Sequence, residues 1–461
     1  MKPNSATDLR PGVAAGTLRF RFVILAAAAL HVAVTTAVIL IGRFGLFPGQ
    51  FDQRGLGTFA SDGFMYQNEI VELCSILRNQ GLTAWANWPT QLHVRLYSLP
   101  VFLLGGGAKV NILTIEPLNL IYYLVILVLV FKLGAIVFNY RTGLFAAAVA
   151  ALWPSFLLHT TQLLRDPLLI TAFLILTLSL TLCLKRDYRW SHGIVIGIAG
   201  VAAIVVIRIV RLPMWTMLWA VIFLAVLFLI VRLVRQRRFL AGNVLFAIMM
   251  IAALLITPRF QNAFHNQQVV RRPRAIVPEE VQKLPVEQQI SARRQGFALR
   301  LDNSGEPVPS EAGSDIDRGV HYNSRADIIR HIPRAIAVGF FSPFPNMWIG
   351  TGKQVGGGGR MLSGFETLLS YMIECLALFG LWRARKDLSA WFVFLVITLG
   401  AVALGLVVAN IGALYRLRYP FWLMLIVFGA SGADYLFSRR ARAASASYGL
   451  ASAESPGTFH S

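Results

Sequence analysis

"PLNLIYYLVILVLVFKLGAIVF" (Pro117–Phe138) carries one charged side chain, Lys132, in 22 residues. A hydrocarbon layer about 30 Å thick takes roughly 20 apolar residues to cross as a helix. No water reaches that layer, so the backbone must satisfy its own hydrogen bonds, and a helix does so. The stretch reads as a transmembrane helix. Similar runs recur at Phe22–Ile41, Gly143–Leu158, Leu163–Leu184, Gly193–Val210, Pro213–Val231, Leu240–Thr257, Phe365–Trp382, Ala390–Ala409 and Phe421–Phe437. Together they predict an all-α polytopic membrane protein with about ten transmembrane helices. Gly143–Leu158 is short for a span and is read as tilted or as extending to Leu163.

Composition agrees. Of 461 residues, 56% are hydrophobic and 14% charged, where a soluble domain carries about a quarter charged; mean hydropathy is +0.61. The net charge of +21 does not mark a nucleic-acid binder, because the basic residues gather at the ends of apolar runs, where they orient spans. Cys74, Cys183 and Cys375 lie too far apart for a disulfide framework or a thiolate metal site. No small-residue cleavage pattern follows the first apolar run, so it reads as a retained span. Seven lysines against 36 arginines, with abundant Ala and Gly, suggest a GC-rich bacterial genome.

Orientation follows from the short loops. Lys2, Arg10, Arg19 and Arg21 precede the first span, and every even span ends in basic residues: Arg141, Lys185–Arg189, "RLVRQRR" (Arg232–Arg238), "WRARK" (from Trp382) and "RRAR" (from Arg439). By the positive-inside rule both termini are cytoplasmic. The expected organisation is a cytoplasmic N-terminus (1–21), a transmembrane module (22–257) with an outer loop at 43–116, a second outer loop (258–364), C-terminal spans (365–437) and a disordered cytoplasmic tail (438–461). "TQLHVRLYSLPVFLLGGG" (Thr90–Gly107) and "IPRAIAVGFFSPFPNMW" (Ile332–Trp348) read as amphipathic interfacial helices of the two outer loops. Asn266–Tyr322 is rich in Gln, Arg, Pro and acids and reads as mobile. "KQVGGGG" (Lys353–Gly359) reads as a hinge, since nothing around it matches a phosphate loop.

Ionisable residues at membrane depth are functional candidates. In "GTFASDGFMYQNEIVELCSILRNQG" (Gly57–Gly81), Asp62 starts a helix with Tyr66, Ile70, Leu73 and Leu77 on one face. Local sequence favours Asp62 as a cap that accepts from the amide of Phe64 or Met65. In "PSFLLHTTQLLRDP" (Pro154–Pro167), Asp166 is read either as a cap or as a second acid on the same membrane face, and Arg165 as a snorkelling cation. Arg208 and Arg211 ("VVIRIVRLP") and Arg416 and Arg418 ("NIGALYRLRYP") lie at outer ends, against the positive-inside trend. Headgroup contact explains any one of them. Two such pairs make a site for a lipid-linked phosphate, which suits the planar fork of arginine. Glu366 and Glu374 are intramembrane acids that an arginine of a neighbouring helix would pair. His93 and His159 are lone outer-face histidines and specify no metal.

The order of these segments resembles the GT-C superfamily of membrane glycosyltransferases, in a bacterial family-39-like form related to protein O-mannosyltransferases and aminoarabinose transferases. The likeness rests on "SDGFMY" through "ELCSILRNQG", on "ALWPSFLLHTTQLLRDPLLITAFLI", on "IPRAIAVGFFSPFPNMW" with "FETLLSYMIECLALFGLW", and on "NIGALYRLRYPFWLML". It implies inverting transfer of a sugar from a polyprenyl-phosphate donor to a lipid, glycan or protein acceptor at the outer face of an inner membrane. Asp62 then matches the general base and Asp166 the second acid, while Arg208, Arg211, Arg416 and Arg418, with Arg165 nearby, match a donor-phosphate site. Mannosyltransferases often show adjacent acids in the first loop, but Gly63 follows Asp62 here, so a divalent metal is left open. The chemistry needs a base on one side of the anomeric carbon and positive charge at the leaving phosphate. A polysaccharide polymerase or ligase would instead use a late-loop group (Glu311, Asp315, Asp317 or His321). A transporter would show inverted repeats, and none is visible.

Overall fold

The computed structural model describes residues 11–107, 109–268, 284–301, 307–309, 315–349 and 355–453. The chain is an all-α polytopic membrane protein: nine helices among the described residues are long and apolar enough to cross a membrane. They lie in α1 (Pro11–Arg43), α4 (Ile112–Val137), α7 (Asp166–Lys185), α8 (Trp190–Val210), α9 (Trp215–Gln236), α10 (Ala241–Gln268), α13 (Gly356–Arg383), α14 (Leu388–Val407) and α16 (Tyr419–Ala453). Between them stand α2 (Asp62–Asn87), α3 (Leu92–Gly105), α5 (Tyr140–Ala151), α6 (Pro154–Thr160), α11 (Val286–Ala298), α12 (Arg325–Phe341) and α15 (Ile411–Leu417). A small antiparallel pair, β1 (Leu299–Leu301) with β2 (Pro307–Pro309), follows α11.

The expected third span, Gly143–Leu158, is broken. α5 and α6 meet at 68° and make a tenth span only if counted as one. Pro154 has no amide hydrogen, and its ring disfavours helix in the residue before it, so α5 stops short and α6 restarts with Pro154 at its first turn. Other boundaries moved for similar local reasons. α4 begins five residues before Pro117 because Asn111 and Thr114 form a reciprocal capping box. The glycines read as a hinge, Gly356–Gly359, are the first turn of α13, while Lys353 lies outside the described residues. α11 and the strand pair lie within the segment expected to be mobile. α16 continues to Ala453, where alanine-rich sequence sustains helix through part of the expected disordered tail; 454–461 lie outside the described residues.

α7 is the most buried spanning helix and packs against α4, α8, α9, α14 and α16. α13 and α16 approach through glycines: a Cβ on Gly380 would strike the Phe428 carbonyl, and one on Gly432 the Leu376 carbonyl. Such contacts let helices without a hydrophobic driving force in lipid gain close dispersion contact. At one end of the bundle, basic residues expected to face the cytoplasm are tied to acids: Lys185 to Asp387 (2.6 Å), Arg383 to Asp434 (2.9 Å), and Arg232 to Asp187.

The other end holds the two long loops. α12 lies along α14, with Gly339 against Ala401 and Gly405 against Ala335. The second loop is strapped to the start of α15, where the Ile316 amide donates to the Ala409 carbonyl at 2.8 Å. Buried Arg294 closes the strap, donating to the carbonyls of Gly405, Leu406, Ile316 and Asp317 at 3.0–3.2 Å. Two of those are C-terminal carbonyls of α14, which lack helical partners and favour a cation. Arg294→Met is expected to lower stability by about 2–4 kcal/mol, since buried acceptors each lose about 1–3 kcal/mol and some regain water. A thermal melt in detergent checks this; an unchanged midpoint discards the strap as a stabilising element.

Candidate functional site

Asp62 and Asp166, 104 positions apart in sequence, each occupy the first helical position of their helices, α2 and α7. Neither is the cap: Ser61 and Arg165 hold those positions, and neither makes a side-chain cap bond. The reading of both acids as caps is corrected accordingly. Both sit in a first turn, where the positive end of the helix dipole favours a carboxylate.

Several contacts bring the two starts together. Gly63 rests against the turn before α7; a Cβ there would lie 3.2 Å from the Leu163 carbonyl oxygen. Buried Gln162 holds the approach to α2, accepting from the Gly57 amide (2.8 Å) and donating to the Gly55 carbonyl (3.3 Å). Asn119 donates to the Gln162 carbonyl, and Tyr97 donates to Asn119 at 2.6 Å and reaches the Leu164 carbonyl at 3.2 Å. Behind them, His31 meets Glu116 at 2.7 Å and Thr160 at 3.1 Å, and Thr35 donates to Glu116 at 2.8 Å. His31 lies inside the first apolar run, so a search for polar residues within spans would have found it. Gln162 carried no sequence signal, because its role depends on backbone more than 100 residues away.

Arg416 of α15 joins the acids. Its two terminal nitrogens lie 3.4 and 3.5 Å from Asp62, and one lies 3.8 Å from Asp166. Arg211, just beyond α8, stands 3.6 Å from Asp166. All four contacts are longer than the 2.7–2.9 Å of a closed guanidinium–carboxylate bond, so each guanidinium keeps donors for another anion. Burial works against the charge on Arg416, but Asp166 and Asp62 outweigh it and hold its pKa above the ordinary value. Burial, with Arg165 and Arg416 nearby, pushes Arg211 down to about 9 against the pull of Asp166 and Asp62, which still leaves it charged at neutral pH. Arg165 thus lies within electrostatic reach, and the group carries three cations to two acids. Asp62 keeps 25% of its side chain exposed and Asp166 9%, so Asp62 is the more accessible acid.

Two expected members stand elsewhere. Arg208 lies over the Trp215 ring, 4.1 Å from its centroid. Arg418 is buried, donates to the Ser342 carbonyl (2.6 Å) and lies over the Tyr415 ring (4.3 Å). Glu366, expected to pair with an arginine, accepts instead from the Ser155 amide (2.5 Å) and the Tyr415 hydroxyl (2.7 Å). The Glu374 oxygens are buried without a hydrogen-bond partner among the described residues.

A cavity of about 520 Å³ opens beside the charged group. It is lined by the hydrogen-bonded group Ser155, His159, Glu366 and Tyr415, by Phe51 and Phe59, and by Gly356–Gly359. None of the charged group's five residues lines it; His159 does, within electrostatic reach of Arg416 and Asp166. A divalent metal does not fit the acids as arranged: both face arginines, and no group of three or more His, Cys, Asp or Glu converges among the described residues. His93 rings against Tyr66 instead. Protein-family models give no match to this chain, and no curated protein matches it.

Proposed function

We propose that this chain is an inverting glycosyltransferase that moves a sugar from a polyprenyl-phosphate donor to a hydroxyl acceptor, at the outer face of a bacterial inner membrane. The observation that carries the reading is the meeting of Asp62 with Arg416, 354 residues later, and of Arg416 and Arg211 with Asp166, near a cavity. An acid and cations in one group match the two demands of the reaction. Asp62 takes the acceptor hydroxyl's proton as the new oxygen–C1 bond forms. The C1–oxygen bond to phosphate breaks, and polyprenyl phosphate leaves as an anion held by Arg416 and Arg211. Asp166, the less exposed acid, positions both arginines. An incoming phosphate competes with Asp62 for Arg416, and as Arg416 turns to it the carboxylate loses that neighbouring positive charge and becomes a stronger base.

The polymerase or ligase alternative places the base in the second loop. Asp317 is gripped by Arg334 through both oxygens (2.9 and 3.0 Å), and Asp315 is held by Arg318 and Asn410. His321 is bonded to Gln295 at 2.7 Å, and Glu311 lies outside the described residues. These engagements favour Asp62. The test is transfer of labelled sugar from polyprenyl-phosphate hexose or pentose in membranes containing the chain. Donor consumption above that of empty-vector membranes is expected; equal consumption with every donor removes the reading.

A further inference from the structure

The hydrogen bonds of His159 decide which nitrogen it offers to the cavity. Its Nδ1 lies 2.6 Å from the Ser155 carbonyl, and a carbonyl can only accept, so Nδ1 carries the hydrogen. The Tyr419 hydroxyl, 3.1 Å from both Nδ1 and Ser155 Oγ, is therefore free to donate to Ser155. In the neutral ring Nε2 is then a bare lone pair, and among the described residues no group bonds to it. Phe59 meets the ring edge-on at 5.2 Å and fixes its plane.

Other polar groups on the lining have the same character. Tyr415 gives its hydrogen to Glu366, which leaves its oxygen as an acceptor. Each Glu366 oxygen accepts one bond, from the Ser155 amide or the Tyr415 hydroxyl, and keeps a second acceptor site. Acceptors call for a ligand that donates. Charges on the lining offset one another, Arg360 against Glu366 and Asp315 with Arg416 near His159, so the cavity selects neither a cation nor an anion. Neutral hydroxyls remain, framed by the apolar surfaces of Phe47, Phe51 and Met347, the mixture of apolar wall and few convergent polar groups that small-molecule sites show.

We propose that this cavity is a subsite for a neutral, hydroxyl-rich group, and that His159 Nε2 accepts the hydrogen of one of its hydroxyls. Anionic and neutral parts of the substrates are thereby sorted, phosphate to the arginines and hydroxyls to the cavity. Taking the bound group as the glycosyl acceptor rests on the glycosyl-transfer reading; binding of a hydroxylated ligand does not.

The experiment has two arms. Purified protein in octyldimethylamine oxide is treated with diethylpyrocarbonate, and carbethoxylation of His159 is followed by peptide mass spectrometry. Octyl β-D-glucoside is expected to slow it at least threefold, while an equal addition of octyldimethylamine oxide leaves it unchanged. Resistance of His159 in the absence of glucoside, or equal labelling with it, overturns the subsite. In the second arm, His159→Asn keeps a donor near the Ser155 carbonyl but loses the acceptor, whereas His159→Gln keeps an acceptor near Nε2. His159→Asn is expected to raise the acceptor KM at least tenfold with the donor KM unchanged, and His159→Gln to change either by less than threefold. Equal acceptor KM values in both variants overturn His159 as the hydroxyl's partner. Protection by glucoside in a protein without transfer activity supports the subsite and removes only the acceptor assignment.

Discussion

Membranes carrying Asp62→Asn are expected to transfer sugar about 10²–10⁴ times more slowly than wild type at equal protein level, the span that removal of a general base produces. Asparagine has the shape of aspartate but cannot take the acceptor's proton. The structural cost is small. At the first position of α2 the lost dipole interaction is about 0.3–1 kcal/mol, and the contact with Arg416 is long, with Asp166 still beside that guanidinium. The two roles of Asp62 therefore separate: catalysis collapses while the melting temperature moves little. The loss is expected in kcat, with donor KM unchanged or lower, because Arg416 is relieved of one acid. Activity within threefold of wild type would exclude Asp62 as the base. A large fall in melting temperature with rate per folded molecule preserved would return it to a structural role.

Arg416→Gln is expected to raise the donor KM at least tenfold, about 1.4 kcal/mol, through loss of a charge-assisted contact to phosphate. Arg416→Lys recovers only part of this, since a point charge replaces the fork. Arg418→Gln is the control. Its guanidinium is spent on the Ser342 carbonyl and the Tyr415 ring, so its loss lowers the melting temperature and leaves donor KM unchanged. The contrast is sharp because the residues are two positions apart. Equal donor KM shifts in both variants, or none in Arg416→Gln, would remove the arginine–phosphate assignment.

The spans were largely legible in the sequence. Lipid imposes its condition locally, on runs of about 20 residues, and each run from Phe22–Ile41 to Phe421–Phe437 meets it without reference to the others. The exception, Gly143–Leu158, has the apolar content of a span but also Pro154, and hydropathy does not register a missing amide hydrogen. The break matters because α6 turns Ser155 and His159 into the cavity. Asp62, Asp166, Arg211 and Arg416 were visible as charges out of place at membrane depth. The same rule also picked out Arg208, whose guanidinium lies over the Trp215 ring and makes no contact with the acids among the described residues.

By itself, then, the sequence determined an all-α membrane bundle and a short set of charged candidates, since burial of apolar runs in lipid and the cost of charge there are local properties. Tertiary structure alone decided which candidates meet. Residues two apart on a helix point to different sides, and so Arg416 reaches the acids while Arg418, capping the same short helix, turns to Ser342. It also decided the cavity, whose lining comes from five separate stretches between Phe47 and Tyr415. No local pattern encodes their meeting; it follows from packing around α7.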